Sequence, residues 1–236
     1  MDQERLDTTK RHLELKECYN YLPHDVQEIE PDVLRKTPEC SELVNTLQKF
    51  FEHGKTLSNR VLELIARGLH LQDPYFFVKK HRYCGQKKGI VNVRSTYYPR
   101  INVSKVLEDQ TRCGEHSDWG GITLLVQDAP GLEVRNLKGQ WTPAPPIEGA
   151  ILVLTGDLMQ RWTSDRVIAA KHRVVFPASE TEMQTSRQSI TFFGHPDGDE
   201  IIECVDGSDI YRPIGSREYF DVKLKEIWTE DCQYSY

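Results

Sequence analysis

The feature that most constrains this chain is a change of period along its length. From Ser41 to Ile65 the apolar residues Val44, Leu47, Phe50, Phe51, Leu57, Val61, Leu62, Leu64 and Ile65 recur mostly at three- and four-residue steps, with Glu42, Lys49, Glu52, Lys55 and Arg60 between them. That spacing predicts a long amphipathic helix buried along one side. Ser41 is placed to cap it, Gly68 to close it as a left-handed residue with Leu69 packed back on the last turn, and Gly54 to bend or divide it. From about Gly89 the texture becomes that of strands. The runs at 90–93, 122–126, 132–134, 150–154, 167–175, 190–193 and 201–205 are short and rich in β-branched residues, and turn signals such as Asp128-Ala129-Pro130-Gly131, Gly156-Asp157 and Asp197-Gly198-Asp199 separate them. No helical pattern alternates with these runs, so the sheet is expected to be mostly antiparallel. Seven or eight such strands suggest a sandwich or jelly-roll barrel. Ser216 to Trp228 sets Tyr219, Phe220, Leu224, Ile227 and Trp228 on a helical stripe behind a serine cap. The first forty residues are polar and interrupted by Pro23, Pro31 and Pro38, which predicts short helical pieces and loops.

Composition narrows the function classes. In 236 residues, 38% are hydrophobic, enough for one core, and 30 Lys+Arg against 36 Asp+Glu leave a net charge of −6, which argues against a general nucleic-acid binder. The run Lys79-Lys80-His81-Arg82 with Lys87-Lys88, beside Phe76, Phe77 and Tyr83, accordingly reads as a solvated loop. Cys18, Cys40, Cys84, Cys113, Cys204 and Cys232 show no C-x-x-C spacing and read as reduced thiols of a cytoplasmic protein. Neither a secretory signal nor an apolar run of roughly eighteen residues is present, so no membrane span is expected.

Chemistry concentrates in Gly114-Glu115-His116-Ser117-Asp118-Trp119-Gly120-Gly121. In an extended chain residues two apart share a face, so His116 and Asp118 point one way and Ser117 the other. An imidazole and a carboxylate so placed can hold a metal, and His172, within Ala170-Lys171-His172-Arg173-Val174, is the natural third ligand. Two histidines and one carboxylate leave half an octahedron open, which suits ferrous iron that must bind a co-substrate and oxygen. An H-x-D pair alone is weak evidence. It gains weight from Arg187-Gln188-Ser189, where a guanidinium and a hydroxyl share a face and form a receptor for a carboxylate. Iron, Asp118, a dicarboxylate and Arg187 together sum to zero charge, so a keto acid chelating the metal at one end and reaching Arg187 with the other satisfies both groups. Trp119, next to a ligand, fits the pocket or the core equally well. Phe193 and Trp162 read as core, and His195 as structural or exposed.

The stretch from about Gly89 to Val205 resembles the iron(II)/2-oxoglutarate-dependent oxygenases of the isopenicillin N synthase-like group. The matching elements are Tyr97-Tyr98-Pro99; the run from His116 through Ile122-Thr123-Leu124-Leu125-Val126-Gln127-Asp128; Pro130-Gly131-Leu132-Glu133-Val134; Trp141; Gly149; Gly156-Asp157; Lys171-His172-Arg173-Val174; and Arg187-Gln188-Ser189. The resemblance implies a mainly β fold with flanking helices, a double-stranded β-helix (jelly roll). It implies iron ligands His116, Asp118 and His172, and a 2-oxoglutarate carboxylate held by Arg187 and Ser189 with the Tyr98 phenol as a further donor. No catalytic residue beyond the metal ligands is implied. Thr96 stands where many plant relatives have an asparagine near the co-substrate. Arg187 follows His172 by fifteen positions, a longer connection than usual, with Ser179 to Ser186 as a polar excursion. Relatives have a strand and helices ahead of the segment that Leu15 to Tyr19 resembles, where this chain has fourteen residues. A helical amino-terminal region, 1–88, truncated relative to the family, is therefore expected, then a catalytic core, 89–215, and a carboxy-terminal helix and tail, 216–236.

The function implied is an Fe(II)- and 2-oxoglutarate-dependent dioxygenase that uses molecular oxygen to hydroxylate or oxidise a small organic molecule, releasing succinate and CO2. The alternatives are an iron-dependent oxidase that does not use 2-oxoglutarate, and a non-catalytic binding protein on an oxygenase scaffold. Motif spacing sets neither the substrate nor the oligomeric state.

Overall fold

The computed structural model describes residues 14–23, 41–86, 89–101, 111–177 and 184–231. Eleven strands are present among them: β1 (Glu17–Tyr21), β2 (Asn92–Tyr98), β3 (Cys113–His116), β4 (Ile122–Gln127), β5 (Leu132–Arg135), β6 (Trp141–Pro143), β7 (Leu152–Thr155), β8 (His172–Val174), β9 (Arg187–Gly194), β10 (Ile201–Ile202) and β11 (Ile214–Gly215). Three α-helices, α1 (Ser41–Gly68), α2 (Asp157–Trp162) and α3 (Ser216–Asp231), complete the frame. The strands form a five-stranded sheet in the order β1-β2-β9-β4-β7, a four-stranded sheet in the order β3-β8-β5-β6, and the β10-β11 pair, with every pairing antiparallel. From β2 to β9 the chain passes repeatedly from one sheet to the other, and this winding is the double-stranded β-helix.

The two faces of the large sheet have different tasks. Register sets Leu124 opposite Phe192, Leu125 opposite Thr191 and Gln127 opposite Ser189. Even-numbered residues of β4 and β9, among them Ile122, Leu124 and Phe192, join the large apolar core with Val44, Leu47, Phe51, Leu62 and Ala66 of α1. Leu125 turns the other way, onto Tyr98, Cys113, Leu132 and Val174, so the two sheets close on a shared interior. These strands are buried on both faces, which is why their sequence is not a clean apolar–polar alternation.

Gly54 does not divide α1, which is one helix from Ser41 to Gly68. It lies on the buried stripe, and a Cβ there would stand 2.7 Å from Phe192 Cδ2, so its missing side chain lets the helix sit close on β9. The left-handed residue at the helix end is His70 (φ 56°) rather than Gly68. Leu71 N–H donates to Ala66 O (3.0 Å) and His70 N–H to Arg67 O (3.0 Å), the bond pair of a Schellman ending, with Leu69 buried beneath it. The Ser41 side chain lies outside the described residues. Ser216 donates its hydroxyl to Pro196 O (3.3 Å), tying α3 to the barrel.

Where helical pieces or loops were expected near the amino end, Glu17–Tyr21 is an edge strand on β2. Its side chains are exposed except Tyr21, so no apolar alternation announces it. The run at 167–175 yields only the three-residue β8, because the left-handed Ser164 and Asp165 just ahead of it shape a turn. The basic run is solvated in part, with the Lys79 and Arg82 side chains exposed, and it also makes ion pairs. Lys80 pairs with Glu200 (2.5 Å), and Arg82 pairs with Asp197 (3.1 Å) and Glu200 (2.9 Å). Asp197, 1% exposed, also accepts the backbone N–H groups of Arg82 and Tyr83. Lys87 and Lys88 lie outside the described residues, as does most of the 179–186 excursion. Trp162 is core, Phe193 carries Arg94 over its ring at 5.4 Å, and His195 is buried.

Candidate active site

Strands β3 and β8 bring the three candidate ligands together. His116 ends β3 and pairs with His172, the first residue of β8, and their ring centroids are 4.2 Å apart. Asp118 lies two residues beyond the end of β3, yet its Oδ1 stands 3.9 Å from Nε2 of each histidine. One ligand atom from each residue falls within 4.8 Å of the others. Ser117 turns away and donates to Asp157 Oδ1 (2.6 Å), an acid that also accepts from the Tyr219 hydroxyl (2.9 Å). The opposed directions expected of the H-x-D triplet are present, although the β ladder stops at His116.

Each candidate ligand is held from behind. His116 Nδ1 faces Gly114 O at 3.0 Å and His172 Nδ1 faces Ala170 O at 2.8 Å, so the Nδ1 protons are committed and both Nε2 lone pairs point at Asp118. Thr123 donates to the second carboxylate oxygen, Asp118 Oδ2, at 2.5 Å. Burial, then the neighbouring His116, pushes the His172 imidazole below its ordinary value, which favours the neutral, ligating form. Two imidazoles and one carboxylate converging with free lone pairs fit a divalent transition ion such as iron(II). The side chain of His116 is 41% exposed, against 7% for His172, so the site opens on the His116 side.

The candidate carboxylate receptor occupies the same interior. Arg187 is 1% exposed and stacks on the Tyr98 ring at 4.9 Å. It donates through Nη2 to Gln127 Oε1 (2.7 Å), through Nε to Ala129 O (3.2 Å) and through Nη1 to Ser189 Oγ (3.4 Å). Burial is the main force lowering its pKa, opposed by Tyr98 and by the charge of Asp128, and among the described residues no carboxylate stands at ion-pair distance from it. Register puts Tyr98 opposite Arg187 and Thr96 opposite Ser189, so all four share one face. Tyr98 packs with Cys113, whose Sγ lies 3.9 Å from His116 Nδ1, and this contact connects Arg187 to the candidate metal ligands. Thr96 Oγ1 accepts from the Cys18 thiol at 3.8 Å. Trp119 meets Phe220 edge to face, at 5.1 Å between centroids.

Thr123, Gln127 and Arg112 escaped the sequence reading. Thr123, Leu125 and Gln127 alternate along β4, and this inward row runs from the candidate ligand Asp118 to Arg187. Two polar residues at period-two spacing in an apolar strand were a usable signal for it. The other acidic cluster, Asp197, Asp199 and Glu200, is occupied by Lys80 and Arg82.

The family model for the 2OG-Fe(II) oxygenase superfamily matches residues 90–196. A full-length Neurospora crassa protein, solved in complex with alpha-KG and 5-formyluracil, superposes with a TM-score of 0.74 at 32% identity, covering 89% of this chain and 69% of that one. The chain belongs to the 2OG-Fe(II) oxygenase superfamily. Among curated members of the superfamily, proline hydroxylase buaE of Petromyces alliaceus is 32% identical over 83% of this chain. The 2-oxoglutarate-dependent dioxygenase htyE of Aspergillus rugulosus is 34% identical over 68% of it. The chain spans 61% and 50% of the lengths of these two relatives. No helix among the described residues is long and apolar enough to cross a membrane.

Proposed function

We propose that this chain is an Fe(II)- and 2-oxoglutarate-dependent dioxygenase that hydroxylates or otherwise oxidises a small organic molecule, with release of succinate and CO2. His116, Asp118 and His172 are its iron ligands, and Tyr98, Arg187 and Ser189 hold the co-substrate. The observation that carries this reading is one barrel interior containing both a His-Asp-His cluster and, beyond Cys113 and Tyr98, a buried arginine with no carboxylate partner among the described residues. Iron bound there supplies, with 2-oxo acid and dioxygen, the oxidising chemistry.

The chain's own residues supply position and exclusion. The two Nε2 atoms and Asp118 Oδ1 would hold the ion, while Thr123 fixes the carboxylate. Arg187 and Ser189 receive the distal carboxylate of the 2-oxo acid, and Tyr98, 5% exposed, closes that end against water. Substrate enters beside the exposed edge of His116. The small-molecule reading is supported by the amino acid and pyrimidine named for the relatives. Residues 89–215 form the catalytic unit, to which the 1–88 region contributes α1 and the edge strand β1. The free thiols of Cys18, Cys84, Cys113 and Cys204 fit a cytoplasmic setting.

The test is anaerobic loading with iron(II) and 2-oxoglutarate, followed by visible spectroscopy and then by oxygen. A weak charge-transfer band from the chelate, and succinate formed after oxygen is admitted, are expected. A folded protein that shows no band overturns the reading. A protein that consumes oxygen with iron but makes no succinate is the oxidase instead.

A further inference from the structure

Arg112 is the other deeply buried guanidinium of the barrel. It is 1% exposed, as Arg187 is, but far less well partnered. Its Nη2 donates to Pro99 O and Thr185 O, both at the long distance of 3.4 Å, and its Nε is buried with no hydrogen-bond partner. No carboxylate pairs with it among the described residues. A planar group with five donors, left this incompletely satisfied in a closed interior, is costly unless an anion joins it.

The position of Arg112 indicates which anion that is. Its backbone N–H donates to Val174 O (2.9 Å), and its Nη2 reaches the carbonyls of Pro99, the residue after Tyr98, and Thr185, two residues before Arg187. Tyr98 carries Arg187 on its ring. Burial first, and then the positive charge of Arg187, push the pKa of Arg112 down, with Tyr98 acting in the opposite sense. Arg112 thus stands at the Tyr98–Arg187 end of the barrel, away from the open side.

We propose that Arg112 is a second cation of the co-substrate pocket, so that the distal carboxylate of 2-oxoglutarate, or of a similar dicarboxylic 2-oxo acid, is held between the guanidinium groups of Arg187 and Arg112. This rests on the reading that Arg187 receives that carboxylate. With Arg187 alone the loaded site is electrically neutral; Arg112 leaves it one positive charge in excess. Such a pocket favours a 2-oxo acid with a charged far end and discriminates strongly against one without it.

The test uses iron(II)-loaded full-length protein under anaerobic conditions, titrated with 2-oxoglutarate and with 2-oxovalerate, which has the same five carbons but a methyl end. The chelate band reads both dissociation constants. Wild-type protein is expected to prefer 2-oxoglutarate by at least about a hundredfold. Arg112→Gln is expected to weaken 2-oxoglutarate by about tenfold or more and 2-oxovalerate by less than about twofold, with Arg112→Lys between the two. Equal losses for both ligands in Arg112→Gln assign the arginine to packing and overturn the proposal, as does no loss for either. A wild-type preference under about tenfold overturns it without any variant. If Arg187→Gln shows the selective loss and Arg112→Gln does not, the second cation is refuted and the Arg187 assignment stands; no band in wild-type protein overturns both.

Discussion

The two sheets of the barrel are held by different forces. The five-stranded sheet is backed by α1 over an apolar interface in which Phe51 and Phe192 meet at 5.6 Å and Gly54 admits the helix. The four-stranded sheet carries two of the candidate ligands, His116 and His172, and contributes only Cys113, Leu132 and Val174 to the small interior cluster. Fold stability therefore resides chiefly in the first sheet and the candidate metal ligands chiefly in the second, with β4 connecting them. Its Leu124 faces the helix, while its Thr123 and Gln127 face Asp118 and Arg187.

Variants that damage one region and spare the other test this division. Asp118→Ala is expected to abolish iron retention after dialysis while changing metal-free unfolding in urea by under about 1 kcal/mol; unchanged iron content would remove the carboxylate from the ligand set. Phe192→Ala is expected to do the reverse, costing about 3–5 kcal/mol in urea unfolding with iron affinity retained by the folded fraction. Loss of iron binding in that variant would show that the regions are not separable. Gly54→Leu puts a branched side chain where even a Cβ meets Phe192, and the crowding outweighs the gain in helix propensity, for a net cost of about 2 kcal/mol by the same measurement.

A smaller effect concerns acid. Burial, only partly offset by Asp118, holds the His195 imidazole down at about 4 from an ordinary 6.5. The unfolded chain therefore binds the proton that the folded one refuses, and stability falls as pH drops from about 6.5 towards 4. Across that window, His195→Asn should flatten the pH dependence of the unfolding midpoint relative to wild type; parallel curves would show that this histidine does not contribute. The smallest change is expected of Thr123→Val, which removes the hydrogen bond behind Asp118. Iron affinity should fall about tenfold in a competition with a chelator, with little change in melting temperature.

The sequence by itself determined the long helix, the antiparallel barrel and its family, and it singled out the His-Asp-His and Arg-x-Ser residues that the fold brings into one interior. Those features are written locally: in a period of three to four, in short β-branched runs, and in H-x-D and R-x-S pairs whose spacing fixes a shared face. Tertiary structure alone decided that Gly54 is a point of close approach, that Glu17–Tyr21 is an edge strand, that the basic run clasps Asp197 and Glu200, and that Arg112 lies buried near Arg187. Each of these depends on a partner far away in the chain. Strand register and helix docking choose such partners, and the local pattern contains no trace of that choice.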